Sequence, residues 1–179
     1  ATMNIGADDI VGEGSYGYYF VWGNPNKFNT QSSNSTLPAA VPTEKTITSD
    51  PYTLKDKEDA AYENWSHNWH MPTKGQFQTL IKKCIWTWSS DRNCYIVSSN
   101  KSDALILLPA AGYYQNNGAF EKDYIDYWTS NGGGSLADCL YIKDPASTTS
   151  IEGVKVTTSN TSYAFPIRPI YTGPVPSSN

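Results

Sequence analysis

The sequence contains few of the side chains that carry out most protein chemistry. Of its 179 residues, two are histidine and three are cysteine, and 13 lysines and arginines stand against 17 aspartates and glutamates. The net charge of -4 provides no cluster of positive charge for the phosphates of a nucleic acid. The chain also lacks the run of about 18 apolar residues that a membrane-spanning helix needs. We therefore expect no nucleic-acid partner and no membrane insertion.

Motifs for catalysis and cofactor binding are also missing. No Gly-x-Ser-x-Gly elbow occurs, and the glycines that begin at Gly132 lack the lysine of a phosphate-binding loop. His67 and His70 could begin a metal site, but no third ligand is indicated, so packing of both rings on neighbouring tryptophans is the simpler interpretation. The sequence predicts a protein that is not an enzyme and holds neither metal nor cofactor.

Cysteine usage leaves two interpretations open. Cys84 and Cys94 enclose a loop of about ten residues, which a disulfide could close with a gain of about 2–3 kcal/mol if the geometry fits. In the alternative, both of them and Cys139 are buried thiols that act as small hydrophobic side chains.

Aromatic side chains are abundant. The hydrophobic fraction is 39%, but six tryptophans, 13 tyrosines and five phenylalanines supply large apolar surfaces for a core. A chain of this length suits one domain. We predict a single domain over residues 1–172 and a flexible tail at 173–179, where proline and serine are frequent.

Two helices are predicted in the first half of the chain. The segment after Pro51 has Thr53 as a plausible N-cap, followed by acids that suit the positive end of a helix dipole. A second helix should begin after Pro72, because Thr73 and Gln76 have the spacing of a capping box and Phe77 starts an apolar stripe.

Strands dominate the remainder. Aromatic, β-branched or continuously apolar runs between turn residues predict strands at 15–22, 85–88, 94–97, 104–108, 136–142, 152–158 and 163–167. The polar stretch at 24–49 predicts a long surface loop. The fold class is therefore α+β. Arg168 lies between two prolines, and we expect it to tie down the last strand through a salt bridge or a backbone carbonyl.

Two further segments predict loops whose composition is typical of a binding surface. They combine aromatic rings with hydrogen-bonding groups, as paratopes do. We predict that the ligand-binding residues are Tyr113, Tyr114, Asn116, Asn117, Tyr124, Asp126 and Asn131. The alternative is an ordinary polar loop.

Six blocks in fixed order resemble those of the Fibrobacter succinogenes major paralogous domain family, over residues 1–170. The blocks are ATMNIGA at 1–7, WHMPT at 69–73, CIWTW at 84–88, LPAAGY at 108–113, YWTS at 127–130 and AFPIRP at 164–169. The family usually carries an apolar strand before its first block, so the resemblance implies a truncated first strand. It also implies a C-type-lectin-like fold, with two helices packed on small mixed or antiparallel sheets below a loop-rich region.

That resemblance implies binding rather than catalysis. We expect a recognition or adhesion domain of a Bacteroidetes surface or secreted protein, with a glycan or protein ligand, although no signal peptide is visible in this chain. The calcium-site motifs of the wider superfamily do not occur. Two alternatives are a structural module of a larger surface protein and a hypervariable receptor diversified by a retroelement. The oligomeric state stays open.

Overall fold

A computed structural model describes residues 1–28, 46–147 and 151–174. Most of the loop predicted at 24–49 and most of the tail predicted at 173–179 lie outside the described residues. Within them the chain is an α+β protein with two α-helices, and all the strand pairs are antiparallel. No helix in this part of the chain has the length and apolar character that a membrane crossing requires.

The helices are α1 (Ala60–Asn64) and α2 (Lys74–Lys83). The strands form four small sheets, ordered β1-β12-β7-β8, β11-β10-β9-β2, β4-β5-β6 and β13-β3. In chain order their bounds are β1 Tyr19–Val21, β2 Tyr52–Thr53, β3 Trp69–His70, β4 Cys84–Ser89, β5 Cys94–Ser99, β6 Leu105–Pro109, β7 Tyr113–Tyr114, β8 Phe120–Glu121, β9 Tyr124–Gly133, β10 Leu136–Lys143, β11 Lys155–Asn160, β12 Ala164–Pro166 and β13 Ile170–Tyr171.

Helix α2 confirms the capping-box prediction. The Thr73 hydroxyl accepts a hydrogen bond from the backbone N–H of Gln76 at 3.2 Å, and the Gln76 side chain accepts one from the backbone N–H of Thr73 at 2.7 Å. These two bonds satisfy donors that a helix start otherwise leaves unpaired. Phe77 is buried and fixes the face that α2 turns toward the core.

Helix α1 begins later than the sequence predicts. Thr53 is part of strand β2, and the N-cap is Asp59, whose carboxylate accepts from the backbone N–H groups of Ala61 and Tyr62. The same carboxylate also accepts from the backbone N–H of Met71, at 2.9 and 3.1 Å to its two oxygens. This long-range bond is why Asp59, rather than Thr53, sets the start of the helix.

The strands of the sheet β4-β5-β6 agree with the predicted ones, but their pairing shows that the hypothesis of a disulfide between Cys84 and Cys94 is wrong. In the β4–β5 hairpin Cys84 lies opposite Ser99, whereas Cys94 lies opposite Ser89. The two thiols therefore sit at opposite ends of a strand pair six residues long, too far apart for a bond that needs adjacent Cβ atoms. Cys84, Cys94 and Cys139 are all free.

The longest strand lies where the sequence predicts a loop. Strand β9 contains Tyr124, Asp126 and Asn131, and it pairs with β10 over nearly its whole length. The loop prediction is wrong because both faces of β9 are covered, so its burial does not alternate in the way that marks a half-exposed strand. Helix α2 packs on one face of this sheet and strand β12 on the other.

Arg168 has the structural role that the sequence predicts. Its side chain is 4% exposed, and Nη2 donates to the backbone carbonyl of Leu107 on strand β6. This contact joins the end of the chain to the β4-β5-β6 sheet.

Candidate functional site

The seven predicted binding residues do not lie in one place, and their exposure divides them into three groups. Asn116 and Asn117 are exposed. Tyr113, Tyr124 and Asn131 are partly exposed, and Tyr114 and Asp126 are buried. The structure brings only Tyr113, Tyr124 and Asp126 together.

Tyr114 belongs to the core and not to a binding surface. Only 4% of it is exposed, and its ring lies 5.0 Å from the ring of Tyr19 and 5.2 Å from that of Phe28, both edge-on. The prediction that Tyr114 is a loop residue that contacts a ligand is therefore wrong. Strand β7 turns it inward and leaves Tyr113 on the opposite face.

Two of the predicted asparagines have local structural roles. The Asn117 side chain accepts from the backbone N–H of Ala119 at 2.9 Å, which closes a turn. The Asn131 side chain accepts from the backbone N–H of Lys74 at 2.8 Å and donates to the Thr53 hydroxyl at 3.0 Å, so it joins β2 and the start of α2 to β9.

A row of three side chains crosses the β11-β10-β9 sheet. Asp126 lies directly opposite Tyr141, and Tyr141 lies directly opposite Lys155. Neighbouring strands are about 4.8 Å apart, so residues in register across three strands form one continuous row on one face. On β11, Thr157 and Ser159 share this face with Lys155, because successive side chains alternate.

This face forms a pocket of about 300 Å³, which we call the Asp126 pocket. Its floor is the sheet, and its far wall comes from strands β7 and β12. The residues that line it are Tyr113, Asp126, Tyr141, Lys155, Thr157, Thr158, Ser159 and Phe165. Three hydrogen-bonding or charged side chains from β11, those of Lys155, Thr157 and Ser159, therefore border a pocket that also contains aromatic rings and one acid.

Asp126 is the most unusual group in the pocket. It is 1% exposed, and neither carboxylate oxygen has a hydrogen-bond partner among the described residues. Burial raises the pKa of Asp126 well above its usual range, because the charged form loses its hydration without gaining a partner. Burial thus favours the protonated form, and a buried unpaired polar group of this kind is costly to keep.

The aromatic wall is held rigidly. The ring of Tyr113 lies 5.2 Å from that of Tyr124 and 5.2 Å from that of Phe165, both edge-on. Phe165 in turn stacks on Trp128 at 4.0 Å. Such aromatic contacts fix ring positions and add about 0.5–1.5 kcal/mol each to the burial of area. The pocket is therefore formed before any ligand arrives.

Strand β11 contributes a cation at the edge of the pocket. The Nζ atom of Lys155 lies 5.3 Å from the centroid of the Tyr141 ring, within the range of a cation–π contact. The face of Tyr141 is thus accessible to an ammonium group. Lys155 itself is exposed, so its long side chain can leave this position at small cost.

A larger cleft of about 530 Å³ lies at the other end of the β9–β10 hairpin. Two of its three charged lining residues pair with each other, since Lys74 Nζ lies 2.9 Å from a carboxylate oxygen of Asp138, and the third, Asp50, is exposed to solvent. The Asn131 side chain is hydrogen-bonded to Lys74 and Thr53. We therefore place the candidate site at the Asp126 pocket, where the acid has no such partner.

Several pocket residues are not among the predicted binding residues. Tyr141, Lys155, Thr157 and Phe165 come from segments predicted as strands, and Ser159 directly follows one of them. The spacing of Lys155, Thr157 and Ser159 at every second position is visible in the sequence and places them on one face of a strand. Their meeting with Asp126 depends on the order β11-β10-β9, which no local pattern encodes.

The two histidines pack on a tyrosine and not on tryptophan as expected. The ring of His67 stacks on Tyr62 at 4.3 Å, and His70 lies 5.3 Å from the same ring. His70 Nδ1 is also 2.6 Å from the Thr172 hydroxyl. Among the described residues no group of three or more histidine, cysteine or acidic side chains is placed to hold a metal ion.

No protein-family model matches the chain, and comparisons with curated proteins and with solved structures also give no match.

Proposed function

We propose that this protein is a non-enzymatic recognition module of a bacterial surface or secreted protein, and that it holds part of a glycan or protein ligand in the Asp126 pocket. The observation that carries the proposal is the Asp126 carboxyl, which is buried at the pocket and unpaired among the described residues. Folding tolerates such a group where a function needs it.

The surroundings of Asp126 support binding. Rigid aromatic walls with a few polar groups are typical of small-ligand sites, and this pocket lies at the lower end of their usual range of about 300–1,000 Å³. A pocket of this size suits one sugar ring or one side chain, so we expect the rest of the ligand to lie outside it. The C-type-lectin-like fold is part of the same proposal, and the two helices with small antiparallel sheets agree with it.

A hypervariable receptor is less favoured. Such a surface requires side chains that can change freely, whereas Tyr114 and Asp126 are buried and β9 is the longest strand. Substitutions at these positions would disturb the core.

An enzyme is the second candidate, because a buried carboxyl with a raised pKa in a pocket is also the mark of a general acid. Glycoside hydrolysis usually needs two carboxyl groups about 5–9.5 Å apart. Among the described lining residues Asp126 is the single acid. Binding therefore fits the pocket better, and nitrophenyl glycosides provide a direct assay for hydrolysis.

An array of glycans and bacterial surface proteins tests the proposal. The Thr157→Phe variant fills the pocket from β11, and Thr87→Phe makes the same change on an exposed position of β4. We expect the wild type and Thr87→Phe to bind the same ligands and Thr157→Phe to lose them. Equal binding by all three proteins would reject the pocket as the site, and turnover of a nitrophenyl glycoside that Asp126→Asn abolishes would favour the enzyme.

A further inference from the structure

Resting on the proposed function, we infer that the Asp126 pocket takes the ammonium group of a small organic amine. The Asp126 carboxylate is its counter-ion, and the rings of Tyr113 and Tyr141 border it. Three features of the pocket lead to this ligand class.

The first feature is the missing partner of Asp126. Asp126 lines the pocket, and both of its oxygens are covered by neighbouring atoms and receive no hydrogen bond from any described residue, so a ligand reaches them only after a lining side chain moves. An ammonium group brings three hydrogen-bond donors and one positive charge, so it can both donate to the carboxylate oxygens and balance their negative charge. A neutral ligand pairs only with the protonated acid, because it brings no charge to offset that of a buried carboxylate.

The second feature is the aromatic lining. Tyr113, Tyr141 and Phe165 border the pocket, and the faces of such rings attract cations when water is excluded. The chain shows this preference itself, because Lys155 places its ammonium group over Tyr141. A ligand amine that enters the pocket would use the same ring and would reach the acid one strand further on.

The third feature is what the pocket disfavours. An anionic ligand is disfavoured, because its negative charge would lie next to the buried carboxyl group of Asp126. A calcium or magnesium ion needs about six oxygen ligands, commonly with several carboxylates, and the described lining residues include one carboxylate. A neutral sugar remains the competing ligand, and the experiment below distinguishes it from an amine.

Charge at the pocket depends on few groups. The titratable side chains that face Asp126 from β7, β9, β10 and β11 are Tyr113, Tyr124, Cys139, Tyr141 and Lys155. Burial raises the pKa of Tyr113, Cys139 and Tyr141, which keeps these groups neutral near pH 7. Phe165 on β12 does not titrate. The charges that matter are those of Asp126, Lys155 and the ligand.

Binding of an ammonium ion should therefore release a proton. Asp126 enters the complex as a carboxylate and gives its proton to solvent, so the affinity should rise by up to about tenfold per pH unit while the free acid is protonated. A neutral ligand that binds the protonated acid shows no such rise. We propose isothermal titration calorimetry with benzylammonium chloride and with benzyl alcohol, which has nearly the same shape and no charge.

Three variants sharpen the test. Asp126→Asn should weaken benzylammonium binding by about 10- to 100-fold, because it removes the charge and keeps the shape. Lys155→Met should tighten it by up to about fivefold, because a competing cation at the rim is lost. Lys101→Met, in the turn between β5 and β6, is the matched control and should leave the affinity unchanged.

The results separate this inference from the proposed function. The inference is supported if benzylammonium binds more tightly as the pH rises, more weakly to Asp126→Asn and more tightly to Lys155→Met. Equal binding of benzyl alcohol, or weaker binding of benzylammonium in Lys155→Met, overturns it while the site stands. If benzylammonium does not bind but Thr157→Phe still loses array ligands, the inference fails alone. If Thr157→Phe loses no ligand, the proposed function fails as well.

Discussion

Replacing Asp126 with asparagine should change how stability depends on pH. In the folded protein burial raises the pKa of Asp126, whereas in the unfolded chain the group titrates near its usual value of about 3.9. Above about pH 4 the folded state therefore holds a proton that the unfolded state has lost. The stabilising contribution of protonated Asp126 is complete below that pH and is lost as the pH rises through the folded pKa.

The size of the effect follows from proton linkage. Each pH unit above about 4 lowers the free energy of unfolding of the wild type, relative to Asp126→Asn, by about 1.4 kcal/mol until the folded pKa is reached. Asparagine has nearly the same shape and does not titrate, so the difference between the two proteins isolates this one group. Asp59, whose pKa burial also raises, is present in both and cancels.

Urea denaturation from pH 4 to 9 measures this difference. Asp123→Asn removes an exposed carboxylate just before β9 and should not reproduce the slope. If the wild type and Asp126→Asn keep a constant difference in unfolding free energy over the whole range, Asp126 is not a buried neutral acid, and the argument for the site is refuted.

Three further predictions concern the scaffold. Thr73→Ala should lower the free energy of unfolding by about 1 kcal/mol, because it removes the cap of α2, and urea denaturation beside Thr79→Ala as control checks this. Phe165→Ala should cost about 3–5 kcal/mol, because the ring stacks on Trp128 in the core, and a loss below about 1 kcal/mol would contradict that packing. A reducing agent should leave the melting temperature unchanged, and three thiols should react with Ellman's reagent after unfolding. Two oxidised thiols would instead restore the Cys84–Cys94 disulfide hypothesis.

The sequence predicted the elements whose signals are local. The capping box of α2 needs only Thr73 and Gln76, and the β4–β5 hairpin has two β-prone runs around a polar turn. Helix α1 was misplaced because its cap, Asp59, is selected by a bond to Met71, twelve residues away. Tertiary contacts of this kind override local propensity.

The site was predictable only in part. Tyr113, Tyr124 and Asp126 stand out because they mix rings with a polar group, but the same composition predicts a loop where the structure has strand β9. The other half of the pocket comes from β10, β11 and β12. Its residues meet Asp126 through strand order and register, which depend on contacts between distant parts of the chain.

The ionisation of Asp126 can be observed directly by carbon-13 NMR of its carboxyl group. At a pH of about 5.5 an ordinary aspartate is ionised, but we predict that Asp126 of the free protein still has the chemical shift of the protonated acid. Addition of benzylammonium chloride should move that signal to the position of the carboxylate, and benzyl alcohol should not. A signal already at the carboxylate position in the free protein would contradict the account.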